Sequence, residues 1–166
     1  MKADKIYLVG FMGAGKTTLA RALARRLDWE AVDIDTLIEE REHQPIAEIF
    51  ARHGEPYFRT LERTVLLEQL GPRHRVVATG GGTFVDPSNR AAINRDGVSV
   101  WLDLPLERVI ARLPTDGRRP LAADRPELER LYRQRRAAYE QAHVHLDAGR
   151  ASVDALAEQV LDWLES

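Results

Sequence analysis

Residues 10–17 read Gly-Phe-Met-Gly-Ala-Gly-Lys-Thr, directly after the apolar run Ile6-Tyr7-Leu8-Val9 and directly before Leu19, Ala20, Leu23, Ala24 and Leu27 at helical spacing. A strand, a glycine-rich turn and a helix in that order leave few choices of fold. Glycine has no Cβ to keep backbone N–H groups from closing around a polyphosphate. A helix that opens at Lys16 adds the positive end of its dipole to the same spot. On this reading Gly13, Ala14, Gly15, Lys16, Thr17 and Thr18 bind a nucleotide triphosphate: Lys16 reaches the β- and γ-phosphates, and the Thr17 hydroxyl ligates the accompanying Mg²⁺. A turn that merely connected strand to helix would not need every fixed position of the motif filled.

A chain of 166 residues suits one domain with a core on both faces of a sheet. The 24 basic and 26 acidic residues nearly cancel, so overall charge draws the chain to neither nucleic acid nor membrane. The absence of cysteine excludes disulfides, thiolate metal sites and a cysteine nucleophile. The first strand follows the N-terminus without a signal-like apolar stretch, and no apolar run approaches spanning length. These features predict a cytoplasmic protein that acts without nucleic acid or membrane partners, as a monomer.

Further along, Ala31-Val32-Asp33-Ile34-Asp35 predicts a second strand with two carboxylates at its exit. Residues two apart on a strand share a face roughly 7 Å apart, so Asp33 and Asp35 could point together into the crevice beyond the strand ends, where open parallel sheets bind ligands. Asp33 would hold Mg²⁺ through its water shell, and Asp35 would accept a hydrogen bond or proton from an acceptor hydroxyl. The alternative is that Asp35 caps a helix starting at Thr36. A short helix is predicted from Pro45 to His53, stopped by Gly54, and a longer one from about Pro56 to Leu70. Arg59 falls in the first turn of the latter, against the dipole. It either faces an anion or pairs with Glu55 or Glu62.

The buried run Arg75–Thr79 leads into Gly80-Gly81-Gly82, three bare backbone positions at the ligand-binding edge of a strand. Helices at Pro87–Arg95 and Pro105–Leu113 bracket a strand at Val98–Leu102. The stretch from Pro114 to Pro126, rich in Pro, Arg and Asp, reads as a lid over phosphates or as a solvated loop. A helix over Glu127–Ala142, a strand over Val144–Leu146 and a helix over Val153–Leu164 follow. Strands and helices alternate throughout, which predicts a three-layer α/β/α fold with a parallel sheet. In the helix after the lid, Arg135 lies on the stripe of Leu128, Leu131, Tyr132, Ala138, Tyr139 and Ala142. Arg136 falls with Glu129, Arg133 and Glu140, where the i,i+4 pairs Glu129–Arg133 and Arg136–Glu140 suit a solvated face.

Taken in order, the loop from Gly10 to Thr18, Asp33-Ile34-Asp35, Gly54-Glu55 followed by Phe58-Arg59, Gly80-Gly81-Gly82, Arg119-Pro120-Leu121, and Arg135 four residues before Tyr139 resemble shikimate kinase along nearly the whole chain. The resemblance implies a single P-loop NTPase-type kinase domain over residues 1–166. It would have a five-stranded parallel sheet, a substrate-binding region at about 33–62 and a lid at about 114–126. It also implies transfer of the ATP γ-phosphate to the 3-hydroxyl of shikimate with one Mg²⁺. By position, Lys16, Asp35 and Arg119 would be catalytic, and Asp35 would contact the reacting diol. Arg59, Arg135 and the backbone of Gly80, Gly81 and Gly82 would hold shikimate, with Phe50, Phe58 and Glu62 lining its pocket. Arg112 would lie by the nucleotide base and Arg119 would reach the transferring phosphate. The strand ending at Thr79 carries no carboxylate for the metal. The resemblance assigns part of that work to Asp33, beside Thr17.

The rival readings are a kinase for another small polyol or a nucleoside monophosphate, and a nucleotide switch or nucleic-acid-binding ATPase suggested by the arginine density between Arg112 and Arg136. The first does not require an aspartate and two arginines converging on a carboxylated diol. The second fits poorly with near-neutral charge.

Overall fold

The computed structural model describes residues 1–112 and 125–166. β1 (Lys5–Val9) leads through the glycine-rich turn into α1 (Lys16–Leu27), then β2 (Glu30–Asp33), α2 (Ile34–Glu42) and α3 (Ile46–Gln69). β3 (Arg75–Ala78) is followed by a 3-10 turn (Thr83–Val85), α4 (Pro87–Asp96), β4 (Val98–Asp103) and α5 (Leu106–Arg112). α6 (Arg125–Tyr139), β5 (Val144–Asp147) and α7 (Val153–Glu165) complete the described chain.

The five strands form one parallel sheet in the order β2-β3-β1-β4-β5. β1 is central, and every residue in it is fully buried. That explains its unbroken apolar run, since a parallel strand covered on both faces has no solvent side for polar residues. β2 is an edge strand, and its pattern shows it: only Val32 is buried. Helices α1 and α7 pack together, as do α2 and α3.

The strand order reverses direction at β1, so the crevice beyond its carboxyl end is where a ligand fits. The register carries three sequence features to that level. Leu8 pairs with Ala78, and Ala78 pairs with Asp33. The glycine-rich turn, the exit of β2 and Gly80 therefore open onto one crevice.

Two elements, β2 and α6, have boundaries that differ from expectation. β2 ends at Asp33 and α2 begins at Ile34, so Asp35 belongs to a helix rather than a strand. The two helices expected on either side of Gly54 are present as the two segments of α3, which meet at a non-helical Gly54 with φ 82° and ψ 171°. α6 begins at Arg125, two residues before the expected start, and ends at Tyr139 rather than Ala142.

Candidate active site

The glycine-rich turn has a backbone that could take a phosphate. Gly13 and Gly15 hold φ values of 77° and 98°, left-handed conformations that cost an L side chain but not glycine. Gly15 is the residue before α1, so its backbone aims the helix N-terminus into the crevice. Ala14 is buried and its N–H donates to the Phe11 carbonyl at 3.2 Å. Lys16 is the first helical residue and is 9 % exposed. Its Nζ donates to the carbonyls of Gly10 and, at 3.2 Å, Phe11. These contacts hold the ammonium over the cradle. Thr18 is exposed in the first turn of α1. Arg112, at the end of α5, reaches the outer side of the same loop, with Nη1 at 3.4 Å from the carbonyls of Gly13 and Ala14.

Asp33 and Asp35 do not share a strand face. Asp33 ends β2 and caps α2, its Oδ1 accepting the Thr36 N–H at 3.0 Å. A short carboxylate that can satisfy an unpaired N–H of a helix start competes with strand extension, and here the cap prevails. Its second oxygen accepts from the Thr17 hydroxyl. The two residues expected at the metal are therefore in contact. Both offer hard oxygen ligands beside the phosphate cradle, and they fit Mg²⁺, which takes one or two protein oxygens and keeps phosphate and water for the rest. Among the described residues no group of three or more His, Cys, Asp or Glu side chains could form a cage of its own. Thr79, where a β3 carboxylate is missing, instead turns its hydroxyl to the Leu8 carbonyl at 2.9 Å.

Gly80, Gly81 and Gly82 are where the remaining groups meet. A β-carbon on Gly80 would stand 2.9 Å from Asp35 Oδ1 and 3.3 Å from Glu62 Oε2. On Gly81 it would stand 2.9 Å from Arg135 Nη1, and on Gly82 2.6 Å from both terminal nitrogens of Arg59. All of these lie below or near the limit of real contacts, so each glycine makes room for charged side chains brought from other elements. Asp35 comes from the first turn of α2, Arg59 from α3 and Arg135 from α6.

The two arginines differ in their neutralisation. Arg59 is paired, with Nη1 at 3.0 and 3.2 Å from the oxygens of Glu62 and Nε at 3.5 Å from Glu55. Of the two sequence readings of Arg59, the local pairing is present, and the guanidinium still lies against Gly82. Arg135 is 9 % exposed and forms no ion pair among the described residues. Its Cζ sits 5.6 Å from the Phe11 ring centroid. Burial, followed by the nearby Arg59 charge, pulls its pKa below the ordinary arginine value, against the opposing influence of Tyr139 and Glu62. The Tyr139 hydroxyl donates to the Gly81 carbonyl, and burial raises its pKa. A buried guanidinium that forms no ion pair among the described residues and faces bare backbone could hold an anion.

Arg136 corrects the expected solvated face. It pairs with Asp103 rather than Glu140, with Nη1 at 2.7 Å from Oδ1, and its Cζ lies 4.8 Å from the Trp101 ring centroid. Glu129 pairs with Arg125 rather than Arg133. A cation over an indole with a carboxylate beside it is worth more than an exposed helical pair. Phe50 and Phe58 come together with ring centroids 4.7 Å apart. Arg119 and residues 114–124 of the lid expected at about 114–126 lie outside the described residues. Sequence reasoning passed over Thr83, whose hydroxyl bonds both Gly80 and Glu62. The available signal was a hydroxyl residue directly after a glycine run.

A family profile described as shikimate kinase matches residues 12–165. A shikimate kinase of Persephonella marina is 40 % identical over 157 residues, covering 94 % of this chain and 96 % of the relative. One of Thermosynechococcus vestitus is 44 % identical over 162 residues, covering 96 % and 86 %. The solved structure of shikimate kinase from Acinetobacter baumannii in complex with shikimate superposes with a TM-score of 0.92 at 36 % identity, covering 98 % of this chain and 93 % of that one.

Proposed function

The chain belongs to the shikimate kinase family, ATP-dependent phosphotransferases acting on a hydroxyl of shikimate, and we propose how its own residues share the transfer of the γ-phosphate to the 3-hydroxyl. The cradle of Gly13 to Thr18 binds the ATP phosphates, with Lys16 on the transferring group and Arg112 on the nucleotide side of the loop. Shikimate lies along Gly80, Gly81 and Gly82. Its carboxylate is held by Arg59 and Arg135, and its diol is turned to Asp35. Phosphoryl transfer asks for positioning and neutralised charge more than for covalent help. Asp35 orients the acceptor hydroxyl and takes its proton, and Lys16 with Arg119 offsets charge on the phosphoryl oxygens. Mg²⁺, when held by Thr17 and Asp33, supplies further neutralisation of the phosphates.

The observation that carries this reading is the arrival of Asp35, Arg135 and Arg59 at three consecutive glycines, one each. A carboxylated diol needs that combination, and a nucleoside monophosphate does not. We propose further that the whole chain acts as one kinase domain and as a monomer in the cytoplasm, with residues 33–62 forming the acceptor side and residues 114–126 a lid. Every group invoked is carried by the single chain. Among the described residues no helix is long and apolar enough to cross a membrane.

A coupled assay of ADP release with ATP and Mg²⁺ tests the reading against a panel of shikimate, other small polyols and nucleoside monophosphates. Release that depends on shikimate is expected. Equal release without it, or a preference for a nucleoside monophosphate, would overturn the assignment.

A further inference from the structure

We propose that Thr83 is a positioning residue for the acceptor site, its hydroxyl coupling the Gly80 backbone to Glu62 and so setting the direction of the Arg59 guanidinium. This rests on the reading that Arg59 holds the acceptor carboxylate. Thr83 has no exposed surface and opens the 3-10 turn after the glycines. Its hydroxyl accepts the Gly80 N–H at 3.0 Å and donates its one proton to Glu62 Oε2 at 2.9 Å. The backbone fixes this hydroxyl, because the Thr83 N–H returns to the Gly80 carbonyl at 3.3 Å and the Val85 N–H to the Gly82 carbonyl at 3.2 Å.

Glu62 is 1 % exposed, so its carboxylate depends on these contacts rather than on water. Its ion-pair partner among the described residues is Arg59, at 3.0 and 3.2 Å. The terminal torsion of a glutamate is broad and selects no single orientation by itself. A rigid donor on one side is what aims the carboxylate. The aimed carboxylate in turn holds Arg59 against Gly82 while Nη2, which makes no hydrogen bond among the described residues, stays available for a ligand. Removing the hydroxyl frees Glu62 to turn and to draw Arg59 out of line, and it leaves the buried Gly80 N–H without its acceptor.

Steady-state kinetics of the full chain with ATP, Mg²⁺ and shikimate test this through Thr83→Val, Thr83→Ser and Arg59→Ala. The valine variant keeps the shape and removes the hydroxyl. Its KM for shikimate should rise about tenfold, the loss expected for a hydrogen bond to a charged group, with kcat and the KM for ATP changed by less than about twofold. The serine variant, which keeps the hydroxyl and loses the methyl, should match the wild type. Thr83→Val combined with Arg59→Ala should raise the KM no further than Arg59→Ala alone, because Thr83 acts through that arginine. If circular dichroism shows the valine variant unfolded, Thr83→Ala is read in the same way. A wild-type shikimate KM in the folded hydroxyl-free variant overturns the proposal. So does a serine variant as impaired as the valine one, which would make methyl packing the role. An unchanged KM in Arg59→Ala overturns the underlying reading of the site instead.

Discussion

A carboxylate that orients a hydroxyl has to be aimed, and Asp35 gets its aim from the first turn of α2, with Oδ1 directed at the space above Gly80. Asp35→Asn keeps that shape and removes the charge. Turnover should fall by about 10²–10⁴, the usual loss for an acid–base group, with the KM for ATP unchanged in steady-state kinetics. A collapse of ATP affinity would instead move Asp35 to the metal site with Asp33. Arg135 and Arg136 are adjacent in sequence yet about 100° apart on the helix, and the structure gives them separate tasks. Arg135→Ala should raise the KM for shikimate by a factor corresponding to about 1.5–3 kcal/mol, because it removes a charge-assisted contact in a buried site. Arg136→Ala should leave that KM alone and lower the melting temperature by about 2–4 °C. It loses a half-exposed pair with Asp103 and a stacking contact with Trp101, together worth about 1 kcal/mol. The opposite ranking in kinetics would assign the substrate contact to Arg136.

Among the elements, α3 shows how a local break serves the site. Gly54 adopts φ 82° and ψ 171°, a region open essentially to glycine alone. Pro56 then restarts the helix where its missing N–H does no harm. The two segments diverge at this point, yet Phe50 on the first and Phe58 on the second still meet, and Arg59 and Glu62 point to the glycine run. The nearest heavy atom to a β-carbon on Gly54 would be Pro56 Cδ at 3.8 Å, so space is not the constraint. Gly54→Ala should therefore cost about 1–3 kcal/mol through backbone strain, read as a lowered midpoint in chemical denaturation. An unchanged midpoint would mean that the helix straightens at no cost.

Across the whole molecule, the sheet separates chemistry from anchorage. Its carboxyl edge carries the site. Near its other edge a charge network ties β1 to the end of α4 and to the segment before β3. Lys5, fully buried, lies 2.6 Å from Asp96; the Tyr7 hydroxyl donates to Asp96 at 2.6 Å and Arg73 does so at 2.9 Å. Burial alone would raise Asp96, but hydrogen bonds from Lys5 and Tyr7 outweigh it and hold the carboxyl below its ordinary 3.8. A depressed carboxylate adds stability that is complete above its unfolded pKa and is lost as pH falls through the lower folded value. Lys5 is pulled below 10.5, chiefly by burial, so the cost of its buried charge is relieved as pH rises towards that value. Asp96→Asn should lower unfolding free energy at pH 7 by about 3–5 kcal/mol and flatten the loss of stability below pH 3.8. Denaturation at several pH values checks both, and parallel profiles for the two proteins would refute the linkage.

The parts of this architecture that the amino-acid sequence determined unaided are those ruled by local sterics and periodicity. The glycines of the phosphate cradle, the buried central strand, the alternation of strand and helix, the bare backbone after β3 and the inward stripe holding Arg135 all follow from short-range rules. Tertiary structure decided the rest, for identifiable reasons. Asp33 caps α2 through a local bond to Thr36, but only the fold brings the Thr17 hydroxyl of α1 to its second oxygen. Arg136 is long enough to leave its own helix, and Trp101 and Asp103 on β4 provided the better partner. Thr83 gained its place because the fold stacks α3 against the glycine run, bringing a buried carboxylate within reach of a hydroxyl 21 residues away.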